Sequence, residues 1–75
     1  MLDLGRCLLP DILEEMGWTI QDLAKRTKLS RTQIADWCSN RYVMSLKNAL
    51  IVSEAVGRPI PSLYEVIRIE RAGKE

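Results

Sequence analysis

Residues 19–37 read TIQDLAKRTKLSRTQIADW, and the way this stretch folds decides the architecture of the chain. Thr19 is followed three residues on by Asp22, and Ser30 three residues on by Gln33. In each pair a hydroxyl and the third side chain can satisfy backbone N–H groups that the first turn of a helix leaves without partners. The two helix starts lie 11 residues apart. That separation leaves room for one helix of about two turns and a tight connection.

The apolar spacing agrees. Ile20, Leu23 and Ala24 give a helix over about residues 20–26 one face to bury. In the next helix, about residues 31–39, Ile34, Trp37 and Cys38 share one side at 100° per residue. It stops at Asn40, which tolerates left-handed backbone. Two short helices at this spacing form a helix-turn-helix, whose second helix enters the major groove of DNA.

Outward from this core, helical spacing continues. Leu9, Ile12, Leu13 and Met16 form the stripe of a helix over residues 9–16, with Pro10 in its first turn and Gly17 as its stop. Residues 1–8, with Leu2, Leu4 and Leu8, read as an extended arm or a kinked additional turn. A helix begins after Ser45, buries Leu46, Ala49, Leu50, Val52 and Val56, and ends at Gly57. Another is expected from Pro61 to about Arg71, closing the core with Ile60, Leu63, Tyr64 and Ile67. The expected fold is thus all-α, a five-helix single domain over residues 1–75 with its helix-turn-helix at about 19–39.

Composition removes several classes of function. Seventy-five residues hold one small core, and a hydrophobic content of 47% with nearly balanced charge is that of a folded chain. No apolar run approaches the ~18 residues of a membrane span, and no signal peptide is visible, so the expected location is the cytoplasm. Cys7 and Cys38 make no ligand cluster and the chain has no histidine, which argues against a metal site; buried thiols are the expectation. Without histidine, a cysteine–base pair or a glycine-rich phosphate loop, no enzyme and no cofactor are expected.

The net charge of +1 is unevenly spread. Residues 1–23 balance at −4 and residues 49–75 at zero, whereas residues 24–48 set Lys25, Arg26, Lys28, Arg31, Arg41 and Lys47 against Asp36 alone. Phosphate contact needs positive charge where the reading helix lies, and here it falls there.

Opposite the buried side of the 31–39 helix stand Thr32, Asp36 and Ser39, flanked by Gln33 and Ala35. Arg31 lies nearer the buried side but projects from the first turn, from which it can reach the groove. Arg pairs with guanine, Gln with adenine, and a Thr or Ala methyl meets that of thymine. Ser30 can set the helix N-terminus against a phosphate. Asp36 is dissonant, because a carboxylate in the groove needs a cytosine amine or a neighbouring base. The polar residues alone would describe any wet helix face; the short turn, paired caps and clustered charge favour DNA.

These residues resemble the lambda-repressor-like (Cro/Xre-type) family of bacterial and phage regulators. The resemblance covers about residues 9–64 and rests on Leu23-Ala24, Leu29-Ser30, Ile34, Ser45-Leu46, residues 49–56 and the closing Pro61-Ser62-Leu63-Tyr64. It implies a five-helix domain, commonly a homodimer on a pseudo-palindromic operator. It further implies base contacts at Arg31, Thr32, Gln33 and Asp36, and phosphate contacts near Thr19, Ser30 and Arg41. Ile20, Lys28 and Asn40 depart from the family, which favours Gln, Gly and Gly there. Leu13 and Cys38 stand where many members pair an Arg with a Glu, an exchange that can be neutral because a buried ion pair loses hydration.

The expected function is therefore a double-stranded-DNA-binding transcriptional regulator, a repressor of phage or bacterial type. Tyr42 and Lys47 join its phosphate contacts, and a homodimer uses Val66 and Ile69. So short a chain leaves no room for a sensor, so control would come from abundance, dimerisation or a partner. The alternative is a protein-interaction module, such as an antitoxin or antirepressor, for which Trp18 and Tyr42 near helix ends would suit a protein partner.

Overall fold

The computed structural model describes residues 2–68. In chain order they form strand β1 (Leu2–Cys7), helices α1 (Leu9–Met16), α2 (Ile20–Thr27), α3 (Arg31–Cys38) and α4 (Leu46–Val56), a 3₁₀ turn (Ile60–Ser62) and strand β2 (Tyr64–Arg68). The domain is mainly helical, with four α-helices and one two-stranded antiparallel sheet among the described residues.

The helix starts follow from their caps. Thr19 Oγ1 accepts from the Asp22 N–H at 3.1 Å while the Thr19 N–H donates to Asp22 Oδ2 at 2.8 Å, a reciprocal capping box. The Thr19 N–H, with its hydroxyl secondarily, holds the Asp22 carboxyl below the usual carboxylate range. At α3 the cap is one-sided: Ser30 Oγ accepts from the Gln33 N–H at 3.0 Å. Ser45 caps α4 in the same way through the Asn48 N–H. Gly17 and Gly57 end α1 and α4 at φ 71°, whereas α2 ends on Lys28 at φ 62°, which costs a side chain about 1–2 kcal/mol that glycine would be spared.

Leu9, Leu23, Ile34, Val52 and Leu63 are wholly buried and bind the helices to the 3₁₀ turn. Trp37 joins them at 3% exposure. Cys7 is buried and Cys38 half-buried, both as free thiols, and burial pushes both up in pKa, Cys38 to about 11.

The expected fifth helix does not form. Tyr64–Arg68 is a strand, and residues 2–7, expected as an arm or an added turn, are its partner; residues 69–71 of that expected helix lie outside the described residues. Leu2 pairs with Arg68, Asp3 with Ile67, Leu4 with Val66 and Cys7 with Tyr64, with a register shift between Leu4 and Cys7. Gly5 lies in that shift, where a Cβ would come within 2.7 Å of Glu65 Cβ. The stripe assigned to the fifth helix splits accordingly: Leu63 is buried, Ile60 and Tyr64 half-buried, and Ile67 exposed. A second correction concerns α4, where Ala49, Val52 and Val56 face the core but Leu46 and Leu50 are 70% and 55% exposed. Helical spacing offered α4 two apolar stripes, and only one meets the core.

Candidate nucleic-acid interface

Helix α3 stands as a ridge between two hollows. One is lined by Thr19, Ile20, Gln21, Arg31, Thr32 and Ala35, so it runs from the N-terminus of α2 to one side of α3. The other is lined on the α3 side by Ser30, Thr32, Gln33, Asp36 and Trp37, and opposite by Tyr42, Val43, Ser45 and Asn48. Thr32 borders both, on the crest. Each hollow thus reaches a helix start, where backbone N–H groups and the helix dipole favour anions.

The expected base-contact residues come together on this ridge. Arg31 and Thr32 are exposed, and Gln33 and Asp36 half-exposed. Arg31, set by the sequence nearer the buried side, projects into the hollow beside α2. The Asp36 carboxylate makes no hydrogen bond or ion pair among the described residues, while its main-chain carbonyl accepts from the N–H groups of Arg41 at 2.9 Å and Tyr42 at 3.4 Å.

The expected phosphate-contact residues divide. Thr19 lines the first hollow; Ser30 and Tyr42 line the second. Arg41 is exposed with its guanidinium 5.7 Å from the Tyr42 ring centroid, and Lys47 is exposed on α4 outside both hollows. Gln21, Val43, Ser45 and Asn48 also line the hollows and were not named from the sequence as contact residues. Ser45 was legible as a cap, but its place beside α3 is a tertiary fact. Ile20, in the family's Gln position, gives the first hollow an apolar wall.

Charge is arranged to match. The ion pairs among the described residues are Arg6–Asp11 at 3.0 Å, Arg6–Glu65 at 3.7 Å and Arg58–Glu15 at 2.7 Å. None draws on Lys25, Arg26, Lys28, Arg31, Arg41 or Lys47, so the basic segment keeps its field. Trp18, named with Tyr42 for a protein partner, is half-buried, with Arg26 4.3 Å over its ring. Of the two residues named for a dimer, Val66 lies in β2 and is 50% exposed, and Ile69 lies outside the described residues.

Comparison with known proteins agrees with this geometry. A helix-turn-helix family model matches residues 11–63, which run from within α1 to the residue before β2. The chain is 30% identical over 73 residues to the SPbeta prophage-derived uncharacterized HTH-type transcriptional regulator YopS of Bacillus subtilis (strain 168), covering 93% of this chain and 95% of that relative. A ridge helix between two helix starts, a basic segment in no ion pair among the described residues and the match from within α1 through the 3₁₀ turn lead to one family: the chain belongs to the helix-turn-helix proteins, of the Cro/Xre type that its sequence resembles.

Proposed function

We propose that this protein is a sequence-specific, double-stranded-DNA-binding regulator of transcription that lays α3 in the major groove. The observation that carries the reading is the α3 ridge with a helix N-terminus across the hollow on either side. Two phosphate strands border a major groove, and two helix starts border α3. Arg31, Thr32, Gln33 and Asp36 meet base edges, and Thr19, Ser30, Arg41, Tyr42 and Lys47 meet phosphates. The Asp36 carboxylate, without a partner among the described residues, suits a cytosine amine.

The protein acts as a homodimer on a two-fold site. An apolar groove beside the second hollow is lined by Leu4, Val43, Leu46, Ile60, Pro61 and Val66 among others. Exposed apolar surface of this kind marks a contact. Val43 borders both this groove and the second hollow, so its occupant lies next to the DNA face. A second copy related by a two-fold axis fits that position, because it sets a second α3 along the same duplex. The same groove supports the alternative, a partner protein of another kind, as an antitoxin would have.

Selection of bound fragments from a random DNA pool at near-physiological salt tests the reading. Enrichment of a two-fold-symmetric sequence is the expected result. A pool that stays random would overturn it in favour of the interaction module.

A further inference from the structure

The segment between α3 and α4 holds no helix or strand, yet it carries Arg41, Tyr42 and Val43, all exposed. Its start is tied to α3 by the Arg41 and Tyr42 N–H groups on the Asp36 carbonyl. Two further bonds come from the sheet. The Cys7 N–H donates to Asn40 Oδ1 at 2.7 Å, and the Tyr64 hydroxyl accepts from the Met44 N–H at 3.1 Å. Asn40 and Met44 are the residues on either side of the exposed triplet 41–43. Cys7 and Tyr64 are a cross-strand pair of the sheet. One strand pair therefore holds both ends of the segment.

We propose, resting on the DNA reading above, that Asn40 and Tyr64 are positioning residues: through the Cys7–Tyr64 strand pair they fix residues 41–43 in the place from which Arg41 and Tyr42 meet phosphate. Asn40 argues for a side-chain role. Its backbone sits at φ 65°, a conformation that glycine adopts with less strain, but glycine has no side-chain oxygen to accept from Cys7. Tyr64 argues likewise: its ring is half-buried against the core, as a phenylalanine could be, and the hydroxyl adds the bond to Met44. A segment held in this way loses its freedom on folding rather than on binding, so contacts from it are pre-organised.

The test compares the full-length protein with Asn40→Gly/Tyr64→Phe on two probes: an operator recovered from a random pool and a random-sequence duplex of equal length. Affinity is followed across a salt series, well below the melting temperature of both proteins. The double variant should keep its far-UV circular dichroism, bind the operator about tenfold more weakly and lose about one unit of salt slope, as for one lost phosphate contact. Base preference should not change, because α3 is untouched. A folded variant with the parent's affinity and slope, merely melting earlier, would make the clamp structural and overturn the proposal. If the double variant does not fold, Tyr64→Phe alone gives the same reading: a reduced slope supports it and an unchanged slope overturns it. A parent that binds neither duplex would overturn the DNA reading and this proposal with it; a parent that binds alongside an equal variant overturns the positioning alone.

Discussion

Leu4 and Val66 stand directly opposite each other across β1 and β2, and each keeps half its surface in water. An apolar cross-strand pair normally contributes by burying its shared face, and an isolated two-stranded ribbon is marginal without such cover. On the homodimer proposed above, this pair and Leu46 are covered by the second protomer.

Val66→Asp should therefore leave the monomer folded, since the side chain is exposed, and weaken operator binding at least ~10-fold by placing a charge in an apolar contact. Sedimentation of the protein with and without operator checks this. The parent should place two protomers on each operator and the variant one. Equal stoichiometry and affinity would remove the sheet from the interface.

Arg31→Ala should cost roughly 1–3 kcal/mol of specific binding and relax preference at one operator position, as for a lost bidentate contact to guanine. Affinities across a panel of single-base operator variants decide it. A uniform loss over the panel would make Arg31 a phosphate contact.

Asp36→Asn should change the preferred base without abolishing binding. Removing the charge relieves phosphate repulsion, and the amide keeps an acceptor while adding donors. Competition between operators differing at one base measures this; an unchanged preference would mean that the carboxylate faces solvent in the complex.

Trp37→Ala should cost roughly 3–5 kcal/mol, comparable with the whole stability of a small domain. Trp37 belongs to the reading helix but is 3% exposed, so its contribution is to packing. Thermal melting checks it. A variant that melts like the parent yet loses DNA affinity would contradict the assignment.

Burial, and secondarily the nearby Cys7, raise the Cys38 thiol from an ordinary 9.0 to about 11. The folded state thus keeps its proton where the unfolded chain loses it. The stability gained from this thiol is full below pH 9 and is lost as pH rises from about 9 to about 11. Denaturant midpoints of the parent and Cys38→Ala over that window should show the parent losing more. Parallel curves would contradict the linkage.

What the sequence made legible was local. The Thr19–Asp22 and Ser30–Gln33 spacings marked the starts of α2 and α3, and Gly17, Asn40 and Gly57 the ends of α1, α3 and α4, because caps act within a few residues. The sheet was illegible for the opposite reason: Leu2 meets Arg68 only after the whole chain has folded between them. Tyr64-Glu65-Val66-Ile67 is a short, partly β-branched run whose apolar residues fit a helix stripe as readily as a strand. The alternation Leu2-Asp3-Leu4 was the available strand signal. At the interface, the polar face of α3 could be read from its period. Gln21, Val43 and Asn48 could not, since only packing brings α2 and α4 alongside. The exposure of Leu46 and Leu50 was hidden in the same way.

Whether α3 reads bases is decided by the affinity ratio between the selected operator and a random-sequence duplex of equal length at near-physiological salt. The operator should bind at least ~10³-fold more tightly, with both affinities falling as salt rises. Equal affinities for the two duplexes would contradict it, leaving a basic surface that holds phosphate without reading sequence.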